Sequence, residues 1–203
     1  MSNSDTPFGL KPIEHLNGSP WNGVTRKFRV DATAGDLGIG DPVVWNGSGN
    51  NGYPEVVLAT AGAENKITGV ITSVEPDPDN LDKLYIASAD SGYVNVCCDP
   101  DVIFEIQGCS DSALSSDSIG LNAVIVKTHS LDTTYGISGV EMDSGASTSP
   151  SADGSYQLLI IGGVDREDND LTAVNAKWKV LISLHSFRAI DTDNSTEEGA
   201  TGV

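Results

Sequence analysis

An all-β fold is what this sequence predicts, and three observations carry the prediction. Helical periodicity is almost absent from the chain. Short runs rich in β-branched and aromatic residues recur along it. Turn residues separate those runs, with 22 glycines among 203 residues and abundant Ser, Thr, Asn and Asp. The expected architecture is a compact β-barrel or a jelly-roll-like sandwich with an extended N-terminal arm. Both bodies are built from short alternating strands, so the pattern leaves the two open.

Residues 1–23 are the expected arm. Pro7, Pro12 and Pro20 remove backbone donors and forbid a continuous helix or a central strand. Phe8, Leu10, Ile13, Leu16 and Trp21 stud the same stretch, whereas a solvated tail is normally polar. Such a segment lies on something, either its own domain or a neighbouring subunit. Fully extended, it reaches at most roughly 75 Å. Phe8, Leu10, Ile13 and Trp21 are the candidate anchors, with Trp21 the favoured intermolecular one.

The body is expected over 24–190. Strands are predicted at 25–30, 42–45, 55–60, 66–74, 83–87, 93–98, 102–107, 123–127, 156–161 and 177–184. In the 102–107 run, Val102, Phe104 and Ile106 share one face, with Glu105 and Gln107 on the other. The run from Lys177 alternates first and then turns apolar on both faces, which predicts a strand entering the interior from an edge. Asn46 to Gly52 reads as a flexible loop tip, and 75–80 as a stiff acidic loop. Another long loop is expected from Gly145 to Gly154. One short helix is expected at 112–118, capped by Asp111 or Ser112. The tail 191–203 carries Asp191, Asp193, Glu197 and Glu198 and no cation, and is expected to be disordered.

Charge narrows the partners. The formal net charge is −18. Such a surface repels phosphate, so direct nucleic-acid binding is not expected. The charge is uneven, because Arg26, Lys27 and Arg29 cluster just after the arm while 64–111 is rich in acids. The three cations read either as complements to an acidic neighbour or as a solvated strand face. The opening residues lack the basic start and apolar run of a secretory signal, and no stretch is long enough to span a bilayer. Cys97, Cys98 and Cys109 make no disulfide framework. Assembly in a reducing cytoplasm is the simpler expectation.

Chemistry is sparsely signalled. His15, His129 and His185 lie far apart with no metal-ligand spacing, so polar or interface roles are the plainer reading beside zinc or general-base roles. On a strand, Cys97 and Cys98 face opposite ways, which predicts one core thiol and one partly exposed thiol. No nucleophile elbow and no phosphate loop occur. The acidic groups Glu75/Asp77/Asp79/Asp82 and Asp165/Glu167/Asp168/Asp170 lack a calcium-loop pattern and read as solvated loops. No catalytic residue, cofactor or metal is expected, and the chain does not read as an enzyme.

Several longer strings resemble structural proteins of tailed-bacteriophage heads. They are Thr6-Pro7-Phe8-Gly9-Leu10-Lys11-Pro12, Leu16-Asn17-Gly18-Ser19-Pro20-Trp21-Asn22-Gly23, Ile67-Thr68-Gly69-Val70, the run Asp99 to Gln107, and Asn175 to Ile182. The resemblance implies a capsid decoration, or cement, protein with a small β body, bound as a trimer outside an assembled head. Its implied partner is the major capsid protein, and its implied location is the virion surface. A tail or head-fibre component that binds a receptor is the alternative, and a virion-associated hydrolase or a shell-forming protein are further ones.

Overall fold

The computed structural model describes residues 3–145 and 149–188. The expected tail at 191–203 therefore lies outside the described residues. In chain order the strands are β1 (Lys11–His15), β2 (Arg26–Val30), β3 (Pro42–Asn50), β4 (Tyr53–Leu58), β5 (Gly69–Val74) and β6 (Tyr93–Cys97). They continue with β7 (Val102–Gln107), β8 (Asn122–Ala123), β9 (Ile125–Lys127), β10 (Val140–Met142), β11 (Leu158–Gly163) and β12 (Lys177–Ile182). The chain is all-β, as its pattern predicts. The single helical turn among the described residues is 3-10, at Ser116–Ser118, and Ser115 caps it by accepting from the Asp117 N–H.

Two sheets organise the molecule. Strands β2-β4-β3-β5-β6 close into a small barrel, with β2 and β4 parallel and the other pairs antiparallel. Beside it stands an antiparallel five-stranded sheet in the order β1-β7-β12-β11-β8, and β9 pairs with β10 separately. The barrel is filled by Phe28, Val30, Leu37, Val43, Val56, Ile71, Ile86, Val94 and Val96. The second core joins Phe104, Ile106, Trp178, Val180 and Ile182 of the sheet to Val70 and Cys97 of the barrel. Side chains alternate along a strand, so Ile71 fills the barrel while its neighbour Val70 reaches the sheet core. The barrel wall thus serves both cores.

Four expectations change on this frame. Strand β12 lies between β7 and β11 and is interior along its length. Its early alternation reflects Lys177 and Lys179 pointing out of the sheet toward Asp168 and Glu14, and no edge is involved. No strand forms at 83–87. Ile86 folds over the barrel end and exchanges backbone hydrogen bonds with Leu37, each at 2.9 Å. Asn46 to Gly52 is largely strand, because Asn51 (φ 53°) and Gly52 (φ 80°) make a tight hairpin turn between β3 and β4. Finally, β7 is buried on both faces, Glu105 and Gln107 included.

That burial has a cause in the N-terminal segment. Strand β1 pairs with β7 at the sheet edge, where Pro12 costs no ladder hydrogen bond on its open side. The chain then doubles back, and His15 and Trp21 donate to Ser19 and Ile13 respectively. Further upstream, Asn3 bonds the Asp170 and Val174 carbonyls, and Leu10 donates to the Gly40 carbonyl at 2.9 Å. The segment is a strap across its own body, one of the two seats its apolar residues allowed.

Candidate functional site

The residues expected to bind a partner fall into three environments. Leu10 is 1% exposed inside the sheet core, and Trp21 packs against that core. Ile13 sits half-buried in the β1 bulge between Pro12 and Glu14, and Phe8 is half-buried beside Gly40. These four hold the strap to its own chain, so Leu10 has no surface left for a partner.

The cations separate as well. Lys27 pairs with Glu75 at 2.7 Å and lies 4.2 Å from the centre of the Tyr93 ring. Its hydrogen bond to Glu75 raises its pKa, against the opposing effect of desolvation. Arg29 meets Glu55 at 3.5 Å. Both are thereby engaged within the barrel. Arg26 is exposed and has no ion pair among the described residues.

Arg26 opens onto a groove of about 420 Å³ lined by Val24, Thr25, Cys98, Asp99, Pro100 and Phe187. Val24 is 61% exposed and Phe187 44%. Leu16, also exposed, is held nearby by its N–H to the Asp101 carbonyl. The rim carries His15 against Asp99 at 3.3 Å and Arg188 bonded to Asp101. Lone exposed apolar residues are ordinary on a protein surface, but a cluster around a groove marks an interaction surface. The half-buried Cys98 forms one wall, and burial raises its pKa while Arg26 opposes this. Its neighbour Cys97 is fully buried, and burial pushes its thiol up to about 11. The pair therefore divides into one core thiol and one partly exposed thiol, as strand alternation predicts.

A second apolar cluster lies where Ile39 meets the 131–139 loop. Ile39 donates to the Gly136 carbonyl, and Gly136 abuts the Leu84 backbone. This brings exposed Ile39, Leu84 and Tyr135 together.

The acidic loops singled out in the sequence are largely engaged within the chain. Glu75 meets Lys27, while Asp168 meets Arg166 and Lys177. Asp170 accepts from the Thr172 hydroxyl and N–H, which hold its carboxyl below the usual range. Groups with metal-ligand geometry arise elsewhere among the described residues, at Asp5/His129/Glu141 and at Cys109/Asp111/Asp143. Neither was legible in the sequence, because each gathers donors from distant segments. His185 is buried at the sheet end, with Nδ1 accepting from the Phe187 N–H and Nε2 without a partner among the described residues.

Comparison with models of known protein families, with curated proteins and with solved structures finds no match.

Proposed function

We propose that this protein is a capsid decoration protein of a tailed bacteriophage, binding the outer face of an assembled head and tying capsomers together. The observation that carries the reading is the groove where exposed Val24 and Phe187 flank Arg26, which has no ion pair among the described residues, on a chain of net charge −18. A strongly acidic surface keeps copies apart except where a specific interface forms, so a local apolar patch with a cation is where binding energy concentrates. The strings that resemble phage-head proteins support the same reading, and they include Asp99 and Pro100 of the groove. The partner is the major capsid protein, with the decorating chain acting as a homotrimer on the virion surface after assembly in the host cytoplasm. No chemical step is involved. Binding to the closed shell lowers its free energy relative to the broken form, and many modest contacts on one lattice add through effective concentration.

Deleting residues 1–23 is a poor test, because it removes Leu10 and β1 from the core. Surface variants serve better. Purified wild-type protein and the Val24→Asp/Phe187→Asp double variant are mixed with shells lacking the protein and sedimented. The wild type is expected to co-sediment, the double variant to remain in solution with unchanged circular dichroism, and the free wild type to sediment as a trimer. A wild type that leaves the shells bare overturns the reading.

A further inference from the structure

Three donors from distant parts of the chain converge beside the strap: Asp5 on the strap, His129 after β9, and Glu141 on β10. His129 Nε2 lies 3.7 Å from Asp5 Oδ2, and Nδ1 lies 3.5 Å from Glu141 Oε2. One ion takes a single imidazole nitrogen, and one donor atom from each of the three residues falls within 4.8 Å of the other two. A tetrahedral site with metal–ligand bonds of 2.0–2.2 Å has ligand–ligand edges of about 3.4 Å, so closing round an ion needs side-chain shifts of about an ångström.

Two features distinguish this group from a chance meeting of surface acids. The first is a buried support. Gln107 is 0% exposed, and its Nε2 donates to Asp5 Oδ1 and to Glu141 Oε1, each at 3.2 Å. Its Oε1 accepts the Thr6 N–H at 3.3 Å, which orients the amide. Gln107 therefore holds one oxygen of each carboxylate and leaves the other oxygen of each toward His129. Fixing ligands through outer hydrogen bonds is how protein metal sites are pre-arranged. Thr128 completes the surround, donating to Glu141 Oε2 and lying 3.0 Å from His129 Nδ1.

The second feature is a charge deficit. Glu141 is 1% exposed, yet no Lys or Arg pairs with it or with Asp5 among the described residues. A buried carboxylate facing a second one is costly unless a cation joins them. Among the described residues, His129 is the side chain that lies beside both carboxylates.

We infer that Asp5, His129 and Glu141 form a binding site for one divalent first-row transition ion, which pins the N-terminal strap to the β9–β10 pair. One imidazole nitrogen with two carboxylate oxygens suits Zn²⁺ or Mn²⁺, whereas Ca²⁺ seeks six or more oxygens. The inference is independent of the capsid reading, because it concerns how the chain holds its own strap.

The test uses full-length protein stripped with a chelator, dialysed, and titrated with Zn²⁺ at pH 7.5 by calorimetry and thermal melting. One ion per chain and a raised Tm are expected. His129→Ala, an exposed position, and the near-isosteric Glu141→Gln are each expected to weaken Zn²⁺ by at least about tenfold and to abolish the Tm gain. Asp111→Asn, in the other donor group, is expected to leave both unchanged. No binding, binding that survives His129→Ala, or loss on Asp111→Asn instead would each overturn the assignment. A Tm gain as large with Ca²⁺ would overturn the choice of ion class.

Discussion

Gly9 and Gly40 cross with no room between them. A Cβ on Gly9 would stand 2.1 Å from the Gly40 carbonyl oxygen, and one on Gly40 would stand 2.2 Å from the Phe8 oxygen. Both residues have positive φ, at 70° and 91°. The crossing is where the strap passes over the entry to β3, and it is what allows Leu10 to reach the core. Gly9→Ala is therefore expected to destabilise by about 2–4 kcal/mol, from left-handed strain together with backbone collision. Gly154→Ala, where a Cβ meets nothing within 4 Å, is the control. Urea unfolding midpoints compare them, and equal midpoints would rule out a tight strap crossing.

Leu10 itself separates a strap from a free arm. It is 1% exposed, so Leu10→Ala is expected to cost about 2–5 kcal/mol, the range for emptying a core site. Val24→Ala, at a 61% exposed position, is expected to fall within about 0.5 kcal/mol of wild type. If the two variants unfold alike, the strap is not part of the folded core in solution.

Asp41 and Ser138 tie the barrel to the loop before β10. Both are 0% exposed, and the Ser138 hydroxyl donates to Asp41 Oδ1 at 2.5 Å while the Gly38 N–H donates to Oδ2 at 2.8 Å. Burial pushes the Asp41 carboxyl up, and these two donors oppose that rise. Ser138→Ala removes one donor and leaves a buried acceptor short. A loss of about 1–3 kcal/mol is expected by chemical denaturation. An unchanged midpoint would mean that water replaces the hydroxyl.

His185 makes stability fall in mild acid. The unfolded imidazole takes its proton near 6.5, but burial holds the folded one down to about 4. Between those values the unfolded chain binds more protons, so stability is full above the upper value and declines as the pH falls toward the lower. The decline reaches at most about 3 kcal/mol. Unfolding midpoints at pH 7, 6 and 5 measure it, and His185→Leu is expected to flatten the slope. Parallel slopes in both proteins would remove His185 as the cause.

The sequence by itself determined the strand-rich class and most strand positions. Alternation and turn residues are local properties, and they marked β2, β6 and β7 to within a residue at each end. Strand 83–87 failed because Leu84 and Ile86 look equally apolar in sequence, whereas only the barrel end decides that Ile86 is buried and Leu84 is not. Strand β1 was missed because its prolines argue against a central strand, and nothing local reveals that an edge awaits it beside β7. Phe8, Leu10, Ile13 and Trp21 were legible as anchors, but not what they hold. That depended on the glycine crossing and on β7 being free to pair.

Tertiary structure alone decided which cations find an ion pair among the described residues and which donors meet. Arg26, Lys27 and Arg29 are near-equivalent in sequence, yet Glu75 and Glu55 arrive from other strands and engage two of them. Asp5, His129 and Glu141 share no spacing that a motif could encode. Their meeting follows from Gln107 being buried between the strap and β10, a long-range consequence of sheet order that no local pattern carries.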